Sequence, residues 1–133
     1  MRSLAFAAAV LASPALGAGL EIDVDGDAQG TIVIDLLEDV APGHVDRMTA
    51  LAAEGAYDDV VFHRVIDGFM AQTGDVEFGL FGMDMRYAGR GGSEGPDLSA
   101  EFSDIPFERG VVGMARAQDP DSANSQFFIM FEP

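Results

Sequence analysis

The chain has 133 residues, 48% of them hydrophobic, which suits one domain with a modest core. It holds no cysteine, so disulfides and thiolate metal sites are excluded, and seven basic residues, all arginine, face 23 acids for a net charge of −16. That balance argues against nucleic acid or an anionic membrane as a partner and for a soluble, self-repelling surface.

Met1-Arg2 gives a basic start, residues 4–16 are almost wholly apolar, and Ala15 and Gly17 put small side chains at the −3 and −1 positions of a cleavage site. The pattern predicts a secretory signal over residues 1–17, an exported periplasmic protein and a single domain over 18–133. The apolar run is too short, and too interrupted by Ser13-Pro14, to span a membrane.

Residues 20–25 alternate apolar and acidic side chains and predict a half-exposed strand; a turn over 26–30 and a β-branched strand over 31–36 follow. Asp23, Asp25 and Asp27 copy the first ligand positions of a calcium loop. Ala28 stands where such a loop needs glycine and Ile34 where it needs a bidentate Glu, so the hairpin is preferred. Pro42 then opens a helix, Val45, Met48, Leu51 and Ala52 give it an apolar stripe, and Gly55 can end it in the left-handed conformation.

The chain is organised around residues 61–75. Two apolar arms flank Asp67-Gly68, a hairpin signal, yet Arg64 and Gln72 sit inside the arms. A two-residue loop would put Gln72 on the face opposite Arg64. A three-residue loop Asp67-Gly68-Phe69 pairs Ile66 with Met70 and sets Arg64 directly opposite Gln72, with Gly68 free to take the left-handed position. The three-residue loop is the expectation. It gathers Phe62, Arg64, Met70 and Gln72 on one face with Phe69 at the tip, a charged fork beside an amide in an apolar setting.

Residues 76–97 are glycine-punctuated and predict a mobile loop. Gly91-Gly92-Ser93-Glu94-Gly95 matches the nucleophile elbow of serine hydrolases in letters only, because no strand precedes it and no histidine follows Ser93. Short strands are predicted over 98–102 and 110–115, a polar turn over 118–125 and an apolar strand over 126–131. A strand this apolar needs neighbours on both sides, and no later residue of the sequence supplies them. Alternation puts Gln126 and Phe128 on one of its faces and Phe127 and Ile129 on the other.

The stretch Phe62-His63-Arg64-Val65-Ile66-Asp67-Gly68-Phe69-Met70-Ala71-Gln72-Thr73-Gly74-Asp75 closely resembles the signature of the cyclophilin-type peptidyl-prolyl isomerases. Gly113-Met114-Ala115-Arg116 through Ser125-Gln126-Phe127-Phe128-Ile129 resembles that family's other active-site segment, in the right order and at about the right separation. Asp67 stands where proline is frequent and Arg116 where asparagine is frequent; neither departure removes a side chain on which the chemistry depends. The resemblance covers residue 20 onward and implies a cyclophilin-like antiparallel eight-stranded barrel capped by helices. The last strands, the second helix and a site histidine of the family have no counterpart here, so the expectation is a barrel incomplete at its C-terminal end, either a fragment or a truncated form.

Isomerase activity on X-Pro bonds is the implied function. Arg64 would be the catalytic donor to the prolyl nitrogen and Gln72 the residue that orients it. Phe69, Met70 and Phe128 would line a recess for the proline ring, Gln126 would touch the peptide, and the backbone at Ala115 and Arg116 would bond the residue before proline. No metal, nucleotide or redox cofactor is implied. The partners expected are proline-containing folding polypeptides, with neither nucleic acid nor, after signal cleavage, a membrane, and the protein is expected to be a monomer. The alternative reading is a non-catalytic proline-peptide-binding or chaperone-like module.

Overall fold

The computed structural model describes residues 18–133, and the expected signal segment lies outside them. Residues 18–38 and Asp39–Pro133 form two compact units, each described here by itself.

In the first unit, β1 (Gly19–Val24) and β2 (Gly30–Asp35) pair antiparallel, with Leu20 opposite Ile34 and Ile22 opposite Ile32. Leu20, Ile22, Ile32 and Ile34 therefore share one face, and Glu21, Asp23, Thr31 and Val33 the other. The Thr31 hydroxyl donates to Asp23 at 2.9 Å and Gln29 Nε2 donates to Asp25 at 3.2 Å, so two of the three aspartates that imitate a calcium loop are spent inside the hairpin.

The second unit begins with α1 (Pro42–Ala53), whose Val45, Met48 and Leu51 are buried at the expected spacing. Ala41 offers no side-chain cap. The Glu101 carboxylate fills that role from 58 residues away, accepting from the backbone N–H of Gly43 and of His44, each at 3.0 Å. An anion there also meets the positive end of the helix dipole. At the other end Gly55 takes φ 81°, and Ala56 N–H bonds Leu51 C=O at 2.9 Å.

A four-stranded antiparallel sheet follows, in the order β3 (Arg64–Ile66), β4 (Met70–Thr73), β6 (Phe127–Met130), β5 (Val112–Met114). The apolar strand β6 thus has neighbours on both sides after all, supplied from earlier in the sequence by β4 and β5. Phe127, Met130, Met70 and Ala71 are buried at its centre. Tyr57 stands edge-on to Phe127 at 5.7 Å, and its hydroxyl donates to Ser125 C=O at 2.7 Å.

The expected strand over 98–102 is not formed. One bridge joins Leu98 to Ala123, and beyond it Ser99 C=O accepts from the His44 ring while Ala100 N–H donates to Asp121. Side chains take the groups a ladder would need, so no ladder forms. The fold is mainly β with one α-helix: among the described residues six strands lie in two sheets, and neither sheet closes on itself.

Candidate functional site

The hairpin from β3 to β4 takes the three-residue loop. Ile66 pairs with Met70, Val65 with Ala71 and Arg64 with Gln72, while Gly68 adopts φ 74°. Phe69 N–H closes the turn on Ile66 C=O at 3.0 Å. Arg64 Nη1 then donates to Gln72 Oε1 at 3.3 Å. Gln72 Nε2 donates to Gln126 Oε1 at 3.0 Å, and Gln126 Nε2 donates to Gly91 C=O at 2.9 Å. A polar row thus crosses the sheet from Arg64 to the loop at Gly91.

Phe128 lies opposite both Gln72 on β4 and Gly113 on β5. The glycine is required by packing, because a Cβ there would stand 2.6 Å from Phe128 Cζ and 2.8 Å from Phe107 Cε1. Phe107 rests on the Phe128 ring with centroids 5.5 Å apart. Phe69 at the hairpin tip is 45% exposed, whereas Met70 is only 2% exposed. Of the three residues expected to line a recess, Phe69 is open to solvent, Phe128 is half-buried and Met70 is shut in.

Beside the polar row lies a cleft of about 230 Å³. Four of the eight residues singled out in the sequence, Gln72, Ala115, Arg116 and Gln126, line it; Arg64, Phe69, Met70 and Phe128 do not. Its far wall comes from residues 89–91 of the glycine-rich loop and from Ser122, Asn124 and Ser125. Asn124 ties that wall together, its Oδ1 accepting from Ser93 N–H at 2.8 Å and Ser93 Oγ at 2.6 Å. Ser93 is therefore a structural partner within the loop.

The span 76–97 lacks strands, as expected, but it is pinned rather than loose. Asp75, 0% exposed, accepts from Glu77 and Phe78 N–H through Oδ1 and from Gly89 and Gly91 N–H through Oδ2, at 2.7–3.1 Å. Burial works to raise its pKa, yet the four N–H groups together outweigh burial and hold the carboxyl below its ordinary value. An acidic residue directly after the Gln72-Thr73-Gly74 run was the one available signal, and it does not say what the acid binds.

His63 packs under Gly89, where a Cβ would stand 3.2 Å from its Nε2. Both ring nitrogens are buried without a hydrogen-bond partner. Burial, helped by the Arg64 charge and opposed by Asp75, holds its pKa below the ordinary value, so the ring is neutral at pH 7.

Residues 20–133 match the family described as cyclophilin type peptidyl-prolyl cis-trans isomerase/CLD. The chain belongs to the cyclophilin-type isomerase family. A probable peptidyl-prolyl cis-trans isomerase of Brucella suis is 60% identical over 105 residues, covering 77% of this chain and 54% of that protein. Peptidyl-prolyl cis-trans isomerase B of Escherichia coli is 37% identical over 100 residues, covering 75% of this chain and 56% of that protein. The chain thus spans about half the length of these curated relatives. A Cryptosporidium parvum cyclophilin type peptidyl-prolyl cis-trans isomerase, crystallised in the presence of the dipeptide Ala-Pro, superposes with a TM-score of 0.64 at 30% identity, covering 77% of this chain and 63% of that one.

Proposed function

We propose that this chain accelerates cis–trans rotation about X-Pro bonds, without covalent chemistry, at the face bearing Arg64, Gln72, Gln126, Phe69 and Phe128. The single observation that carries this reading is the polar row: an arginine aimed by a neutral amide, next to exposed and half-buried aromatic rings.

Rotation about an amide is slow because resonance holds it planar, with a barrier of about 18–20 kcal/mol. In the twisted state the proline nitrogen loses conjugation and regains a basic lone pair. A guanidinium N–H held over that nitrogen forms a bond that the planar ground state cannot accept well. Such a bond lowers the barrier because it is stronger in the transition state than before it. Arg64 uses one N–H on Gln72 and, among the described residues, meets no carboxylate within 4.0 Å, so its remaining donors face outward uncompensated. Phe69 and Phe128 offer apolar surface for the ring. Met70, 2% exposed, would touch substrate only after a local shift.

The same reading carries finer expectations: the family's closed eight-stranded barrel, to which these strands would contribute, export to the periplasm, and unfolded or folding proline-containing chains as substrates. The test is Arg64→Ala and Arg64→Lys, with exchange rates of an Ala-Pro peptide read by NMR. A lost hydrogen bond to a charged group is worth about 1.5–3 kcal/mol, so Arg64→Ala should slow catalysed exchange about 10- to 100-fold while binding weakens less. Arg64→Lys should restore little, since lysine lacks the planar fork. Binding without any acceleration by the parent chain would sink the catalytic reading and favour a proline-peptide-binding module.

A further inference from the structure

Resting on the reading of this site as one for proline peptides, we propose that the cleft beside Gln72 and Gln126 selects an acidic side chain of the bound peptide, with Arg90 and Arg116 as its specificity-determining residues. Seven arginines serve this whole chain against 23 acids, yet two of them line one small cleft, and no carboxylate lines it with them. The rest of the cleft wall is amide, hydroxyl and backbone, with the two small side chains of Ala115 and Ala117. At about 30 Å³ per water its volume holds roughly seven waters, which suits one side chain and part of its hydration shell.

Both guanidiniums are held in place without being neutralised. Arg90 stacks over the Tyr87 ring at 5.4 Å. Arg116 lies over Phe102 at 5.5 Å and donates from Nη1 to the carbonyls of Ala117 and Gln118 at 2.9 and 3.1 Å. Among the described residues neither has a carboxylate within 4.0 Å, in contrast to Arg86, which pairs with Asp84. A guanidinium parked on an aromatic face and neutral carbonyls keeps its charge and most of its donors for a ligand. The nearby acids are otherwise engaged. Asp75 spends its oxygens on four backbone amides, Glu77 accepts from Gly92 N–H, and Asp119 and Asp121 accept from loop amides. In a molecule of net charge −16, an acidic peptide is repelled by most of the surface. Arg90 and Arg116 place two positive charges on the wall of this cleft, so they select by sign as well as by contact.

The experiment uses Ala-Pro peptides with Glu, Gln or Lys placed in turn at each position flanking the dipeptide. Dissociation constants come from fluorescence anisotropy and isomerisation rates from exchange NMR, at low and near-physiological salt. Two partly exposed charge pairs predict that, at one position, Glu binds about tenfold more tightly than Lys at low salt, with the gap narrowing as salt rises. Arg90→Gln with Arg116→Gln should bring that ratio near unity; both arginines are exposed, so the double variant keeps the fold. Equal binding of the three peptide types, with isomerisation intact, overturns the acidic preference and leaves the reading of the site standing. A preference that survives the double variant overturns the assignment to these arginines. If the chain neither binds nor isomerises any of the peptides, the reading of the site fails and the preference with it.

Discussion

Replacing Asp75 by Asn tests whether one buried carboxylate holds the cleft together. The carboxylate shares its two oxygens among four backbone N–H groups, two on each oxygen. Asparagine has one oxygen and an NH2 that cannot accept. The near pair, Glu77 and Phe78, forms an Asx-type turn that asparagine also favours, so the oxygen stays there and the NH2 confronts Gly89 and Gly91. Two charge-assisted bonds at about 1.5–3 kcal/mol each amount to about 3–6 kcal/mol, and relief of the buried charge's desolvation offsets part of this. A net loss of at least about 2 kcal/mol remains, a large share of the 5–15 kcal/mol typical of a domain. Gly91 also carries the carbonyl that receives Gln126 Nε2, so the polar row should loosen at that end. The assay is urea unfolding of Asp75→Asn against the parent, with amide exchange read at Gly89 and Gly91. Exchange at those two amides should quicken more than at β4 or β6. A stability change below about 1 kcal/mol, with Gly89 and Gly91 protected as before, would refute the reasoning.

Two further predictions follow from the same geometry. Because the pKa of His63 lies below the ordinary histidine value of 6.5 in the folded chain, the unfolded chain binds the proton more readily; stability should be whole above that pH and decline as pH falls below it. Asp75, depressed from 3.8, adds a second loss at still lower pH, and thermal midpoints across this range should show both steps, the first absent in His63→Leu; a parent midpoint flat between neutral pH and the acid step would count against a neutral buried His63. Gly113→Ala would drive its Cβ into Phe128 and Phe107, costing about 1–3 kcal/mol in unfolding assays and displacing the Phe128 ring resonances. An unperturbed Phe128 ring would show that the aromatic pair gives way freely.

What the sequence reveals about this fold depends on how far apart the partners lie. The hairpin register is legible because two polar residues interrupt apolar arms and Gly68 can supply a left-handed turn position; a slip by one residue would part Arg64 from Gln72. Helix α1 is legible from Pro42, the apolar spacing and Gly55, all within one local stretch. Its cap is not, since Glu101 reaches it from a distant loop and side-chain bonds to backbone leave no periodic trace. The same holds for Asp75 and for Asn124, which build the far wall of the cleft. Alternation assigns Met70 to the face of Arg64 but says nothing of depth, and depth is where the expectation of a recess-lining Met70 and the structure part.

The direction of the polar row follows from its last acceptor. A backbone carbonyl can only accept, so Gly91 C=O requires the NH2 of Gln126 to point at it. That leaves Gln126 Oε1 to meet Gln72, which must then present its own NH2, and Gln72 Oε1 is left for the arginine. Every amide in the row is thereby fixed in one orientation, with its oxygen end toward Arg64. Beyond the carbonyl, the N–H of the same residue, Gly91, donates to Asp75. The two charges stand at opposite ends, and the neutral dipoles between them align with both, so each bond polarises the next. Had a carboxylate held Arg64 directly, the guanidinium would be neutralised where its free donors are needed. Neutral amides aim the fork while leaving its charge uncompensated, and the negative charge that anchors the row is kept under the loop, where four backbone amides already satisfy it.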